Sequence, residues 1–156
     1  MTSTHDYAVQ LNWTGNRGTG TSDYRAYSRD HEVMTTGCPA IFGSADRAFR
    51  GDPTRWNPEQ LLLAALSQCH MLSYLHLCAD AGVVVTAYRD DVVGTMTENR
   101  SGGHFIEAIL QPTVEVRRAD MIARAMELHA DARRACFIAN SVNFPVGHRP
   151  VVRAAL

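Results

Sequence analysis

The stretch from Asn57 to Gly82 constrains the fold of this chain more than any other. Asn57 is a good helix N-cap, Pro58 suits the first helical position, and Gln60 can reach back to the cap from the third. Gly82 offers a left-handed stop, so the sequence predicts a helix from Pro58 to about Ala81. Leu61, Leu62, Leu63, Leu66, Leu72, Leu75 and Leu77 surround its axis almost completely. A helix apolar on most sides has to be buried in the middle of something. Ser67, Gln68, His70, Ser73, His76 and Asp80 interrupt the apolar run, which argues against a bilayer span. Met1 to Gln10 is polar and lacks a signal pattern, so the expectation is a cytoplasmic chain with no membrane partner.

The flanking segments read mostly as strands. Tyr7 to Trp13 alternates, Thr14 to Gly20 must turn, and Ser22 to Arg29 and Glu32 to Thr36 read as a second and a short third strand. Gly37 to Arg55 carries Pro39, Gly43, Gly51 and Pro53 and reads as a long ordered connection with a helical turn near Ser44 to Phe49. After the helix, Tyr88 to Glu98 and Phe105 to Val116 read as strands joined by a turn at Asn99 to Gly103. Pro112 points to an edge strand or a bulge. Asp120 can cap a second helix through about Cys136, and Phe144 to Ala154 ends as a strand. The order implies one α+β domain over residues 1–156.

Composition narrows the chemistry. All 15 basic residues are Arg, which excludes Schiff-base and P-loop lysine chemistry and leaves a guanidinium as the fixed cation of any site. A net charge of −1 without a basic block lacks the footprint of a nucleic-acid binder. Cys38, Cys69, Cys78 and Cys136 contain no C-x-x-C, so zinc-ribbon and thioredoxin readings fail on spacing. Without a secretory signal, thiols point to a reducing compartment. Cys69 lies mid-way along the apolar helix and Cys136 at the end of the second. A buried helical cysteine taken alone is a small hydrophobe, which also describes Cys78.

Asn57-Pro58-Glu59-Gln60-Leu61-Leu62, with Cys69 ten residues after Glu59 and Cys136 closing the second helix, resembles the signature of the OsmC/Ohr family. These are the osmotically inducible protein C and organic hydroperoxide resistance proteins. Trp13 to Gly18 extends the likeness over nearly the whole chain. The resemblance implies an OsmC-like fold in an intertwined homodimer. It also implies a thiol peroxidase without a cofactor: Cys69 attacks a hydroperoxide or hydrogen peroxide, Cys136 resolves the sulfenic acid, and an external dithiol, such as a lipoylated protein, reduces the disulfide. Glu59 would orient an Arg that lowers the Cys69 pKa. Arg17 matches one branch of the family and Arg47 or Arg50 the other, with Arg29 a further candidate.

Ten helical residues rise about 15 Å, so Glu59 and Cys69 cannot meet on one straight helix. Either the helix begins after Pro58 or a partner subunit completes the site. Leu66, Met71, Leu72, Phe137, Ile138 and Phe144 could line an apolar pocket suited to alkyl hydroperoxides. Two other readings stand beside this one: a non-catalytic dimer that binds a small apolar ligand, and a cysteine hydrolase. The hydrolase suffers because Cys69 and His70 point about 100° apart on a helix. His70 and His76 share no face for a metal, and His129 and His148 read as ordinary polar histidines.

Overall fold

The structure, a computed structural model, describes residues 3–155. They divide into two units, one ending at Leu61 and one beginning at Leu62.

In the first unit β1 (Gln10–Trp13), β2 (His31–Met34) and β3 (Ile41–Gly43) form an antiparallel sheet in that order. Trp13 stands opposite His31, and His31 opposite Gly43. β1 is shorter than the alternation from Tyr7, and β3 arises inside what reads as a connection. Ser22–Arg29 is no strand. Asp23 accepts there from the Arg25 N–H through its carboxylate, at 2.8 Å, and from the Ala26 N–H through its carbonyl, at 3.0 Å. Local turn bonds of this kind compete with a ladder. A single 3₁₀ turn at Arg47–Phe49 is capped by the Asp46 carboxylate on the Ala48 N–H.

Helix α1 (Pro58–Asp80) starts and stops on the residues that announce it. The Asn57 side chain accepts from the Gln60 N–H at 2.8 Å, and the Gln60 side chain accepts from the Asn57 N–H at 3.1 Å, a reciprocal capping box. Gly82 turns left-handed at φ +70°, which brings the Val83 N–H onto the Cys78 carbonyl at 2.8 Å.

The strands of the second unit are shorter and more numerous than the sequence implies. They are β4 (Val85–Asp90), β5 (Val93–Asn99), β6 (Gly102–Leu110), β7 (Pro112–Val116), β8 (Val146–His148) and β9 (Val151–Ala154), with α2 (Ile122–Ala135) between β7 and β8. Two sheets result, ordered β4-β7-β9 and β5-β6-β8. In each, the first two strands are antiparallel and the last is parallel to its neighbour. Each of the three long strands expected here is broken once, at Asp91-Val92, at Gln111 and at Arg149-Pro150. Asp90 organises the break: its carboxylate accepts from the Gln111 N–H at 2.7 Å and from the Ser67 hydroxyl at 2.6 Å. The lost donor of Pro112 therefore falls at the start of β7, which is the central strand of its sheet rather than an edge.

One further expectation is corrected. Asp120 caps no helix; its carboxylate pairs with Arg118 at 2.8 Å, and a 3₁₀ turn at Ala119–Met121 leads into α2. Burial of α1 is one-sided in the single chain. Leu66, His70, Tyr74 and Cys78, spaced four apart, are fully buried, whereas Leu72 is 62% exposed. Leu66 packs with Ala108, Leu110 and Val146, and Tyr74 and Cys78 pack with Val114, Val116, Leu128 and Ala132. By length and mean hydropathy α1 is long and apolar enough to cross a membrane. Its buried stripe nonetheless carries a histidine bonded through both ring nitrogens.

That histidine is the middle of a chain of three. His70 Nδ1 lies 3.1 Å from His148 Nε2, and His70 Nε2 lies 3.1 Å from His129 Nδ1. Tyr74 stacks on His129 with ring centroids 3.9 Å apart. Burial, reinforced by the neighbouring imidazoles, pushes His70 down to about 3. Burial also holds His129 and His148 at about 4, the latter with help from Arg133. All three are neutral in the folded protein at pH 7 and charge on unfolding below about 6.5, so stability is complete above that pH and falls as pH drops towards 4. Unfolding free energies from urea titrations between pH 7.5 and 5.5, where carboxylates stay ionised, should fall at up to about 1.4 kcal/mol per pH unit for each ring. H148Q should flatten the slope; a pH-independent wild-type midpoint would contradict the neutral chain.

Candidate functional site

The two cysteines singled out by sequence come together in the second unit. Cys69 is half-buried on α1. α2 stops at Ala135, and Cys136 follows in an extended conformation, φ −73° and ψ 108°, which turns its side chain inward to 1% exposure. The Ala139 N–H donates to Cys136 Sγ at 3.4 Å. Burial pushes the Cys136 thiol up to about 11, and a hydrogen bond with the Cys69 side chain adds to the effect. Cys136 is therefore a protonated thiol at neutral pH, held against a more accessible one. Leu66, Ile138 and Phe144 belong to the apolar cluster of this region, but Leu72 and Phe137 point outward, with Phe137 75% exposed. Cys78 is buried in the core and Cys38 is exposed.

The first unit holds a cleft of about 480 Å³ lined by Trp13, Tyr27, Arg29, His31, Phe49 and Glu59, among others. The Arg29 guanidinium donates to the Tyr27 and Tyr24 carbonyls, both at 2.8 Å, and its carbon lies 4.2 and 4.3 Å from the centres of the Tyr24 and Tyr27 rings. Such a cation is fixed in place rather than left waving in solvent. Glu59 shares the cleft, and one of its carboxylate oxygens is buried without a partner. Gly15 makes the neighbouring turn possible: a Cβ there would stand 2.0 Å from the Ser28 carbonyl, which accepts from Trp13 Nε1.

The other arginines lie elsewhere. Arg17 is exposed in a turn tied by the Asn16 side chain, and Arg47 and Arg50 are exposed around the 3₁₀ turn. None of the three lines the cleft with Glu59. Both ring nitrogens of His70 are taken by other histidines, which leaves it none to activate Cys69. The three rings are strung in line rather than converging, and no group of three or more His, Cys, Asp or Glu among the described residues is arranged to hold a metal. The histidine chain escapes a sequence reading because its contacts span 59 and 78 residues. Arg29, a further candidate in the sequence, is the one of the four arginines that lines the cleft with Glu59.

A family model described as OsmC-like protein matches residues 51–149. Among solved structures, an OsmC-like protein of unknown function from Vibrio cholerae is similar at 28% identity with a TM-score of 0.84, over 95% of this chain and 100% of that one. An organic hydroperoxide resistance protein from Elizabethkingia anophelis shares the fold at 16% identity and a TM-score of 0.68, over 98% and 100%. One from Legionella pneumophila does so at 17% and 0.64, over 96% and 98%. No curated protein matches in sequence. Proteins of this family act without a prosthetic cofactor. With the capping motif, the paired cysteines and the matched fold agreeing, the chain belongs to the OsmC-like proteins.

Proposed function

We propose that the protein is a two-cysteine peroxidase that reduces organic hydroperoxides. The unequal thiol pair carries this reading: Cys69 is the more accessible, and Cys136 is buried beside it and kept protonated. The Cys69 thiolate attacks the terminal oxygen of the hydroperoxide. The S–O bond forms, the O–O bond breaks, and the departing alkoxide takes a proton to leave as an alcohol. The Cys136 sulfur then attacks the Cys69 sulfenic acid, giving up its proton as the hydroxyl leaves as water. An external dithiol, a lipoylated protein or a small thiol, reopens the disulfide by exchange. A reducing cytoplasm fits four free thiols.

Arg29, oriented by Glu59, is the cation that faces the Cys69 thiolate in this proposal. The fixed guanidinium and the unpartnered carboxylate oxygen in one cleft support it over Arg17 and Arg47. Because α1 is unbroken from Pro58, ten residues and about 15 Å of rise separate Glu59 from Cys69 along it. A homodimer in which the second copy supplies the Arg–Glu pair resolves the distance. The half-exposed leucines of α1 and the exposed Leu72 are the surface such a dimer would cover.

One equivalent of cumene hydroperoxide should yield a Cys69–Cys136 disulfide by mass spectrometry, whereas C136S should stop at the Cys69 sulfenic acid and, with excess peroxide, accumulate sulfinic acid. Activity with both thiols still free would sink the mechanism. Among single replacements, R29Q should slow peroxide reduction most, by about tenfold or more (~1.4 kcal/mol) at pH 6, with partial recovery towards pH 9. A larger loss in R17Q or R47Q would move the role there. Sedimentation at micromolar concentration should give twice 17.2 kDa; a fully active monomer would remove the dimer from the scheme.

A further inference from the structure

We propose that the cleft between α2 and β8 binds a small organic carboxylate with an apolar body, gripped by the Arg133 guanidinium and the His129 imidazole. The site is distinct from the thiol pair. Met126, His129, Ala130 and Arg133, at helical spacings of three and four, give it one wall, and the segment 145–148 with Pro150 gives the other. Its volume is about 700 Å³, within the range of small-molecule sites.

Two observations point to an anion. His129 is only 3% exposed, yet its Nε2 is buried without a hydrogen-bond partner while Nδ1 is taken by His70. Buried polar atoms are ordinarily satisfied, and an exception asks for a ligand or a bound water. Independently, Arg133 Nε donates to the Val146 carbonyl at 3.0 Å, which lays the side chain along the cleft. Among the described residues no carboxylate pairs with Arg133, although its neighbour Arg134 pairs with Asp131. No Asp or Glu lines the cleft.

The remaining guanidinium edge matches a planar carboxylate. Met126, Pro145, Val146 and Pro150 offer apolar contact to whatever carries it. A doubly charged phosphate would leave charge desolvated against those walls. The geometry also makes the ligand a reporter on the histidine chain. A carboxylate oxygen at His129 Nε2 requires a proton on that nitrogen, so Nδ1 must accept from His70 Nε2–H. His70 Nδ1 must in turn accept from His148 Nε2–H. One ligand oxygen thus sets three tautomers.

The test is a titration of ¹⁵N-labelled full-length protein with sodium octanoate, followed by NMR. Saturable shifts should appear at the Met126, Ala130 and Gly147 amides, with all three imidazoles in the Nε2–H form. R133Q, and M126E at an exposed position that tolerates change, should each weaken octanoate at least tenfold. Acetate should bind at least tenfold more weakly, and octylamine should not bind. C69S should bind octanoate as the wild type does, which separates this site from the peroxidase proposal. No saturable response up to about 10 mM, a concentration that reveals even millimolar binding, would overturn the site. So would equal affinity for octylamine, equal affinity for acetate, or loss of binding in C69S.

Discussion

Everything in the second unit hangs on the way His70 is satisfied. It is fully buried in the centre of an otherwise apolar stripe, where an unpaired imidazole would cost about 1–3 kcal/mol. Its two nitrogens find His129 on α2 and His148 on β8, elements 59 and 78 residues away. One side chain thereby fixes where the second helix and a late strand stand against α1. Leu66 and Tyr74, one turn to either side, then meet separate apolar clusters, and Cys69 is held one residue from the hub without being part of it.

The same helix explains the sheets. Ser67 reaches Asp90, and Asp90 reaches the Gln111 amide, so one carboxylate joins α1 to the line along which three long strands break. A carboxylate that accepts from a side chain and a backbone amide at once replaces ladder bonds that the break removes. The result is two narrow sheets in place of one wide one, with the core clusters of α1 divided in the same place.

Legibility followed the range of the interaction. The Asn57–Gln60 box, the Gly82 stop and the Asn99 turn are local, and each is made by residues within five positions of one another. That Cys69 and Cys136 lie side by side was readable because they came with a motif. What escaped depends on distant partners. Nothing around Gln111 or Asp90 announces a broken strand, and Pro112 suggested an edge because its missing donor is normally hidden there. Ser22–Arg29 alternates like a strand, but Asp23 satisfies its backbone locally. The leucines of α1 promised burial on all sides, and a single chain covers one stripe. Arg29 stood in the sequence as one candidate among four, and the ring contacts and cleft that set it apart leave no spacing there.

The end of α2 carries a consequence for how the protein withstands unfolding. Cys136 leaves the helix at the point where its sulfur meets Cys69, 67 residues earlier. A covalent bond there, the one the proposed chemistry makes, would close a ring from mid-α1 through both sheets to the end of α2. A ring of that size removes chain freedom from the unfolded state worth about 4 kcal/mol. The oxidised protein would then be the most durable form, and a reductant would loosen the fold as it restores the thiols. At about 30 mV for each 1.4 kcal/mol, that durability would make the bond harder to reduce by several tens of millivolts.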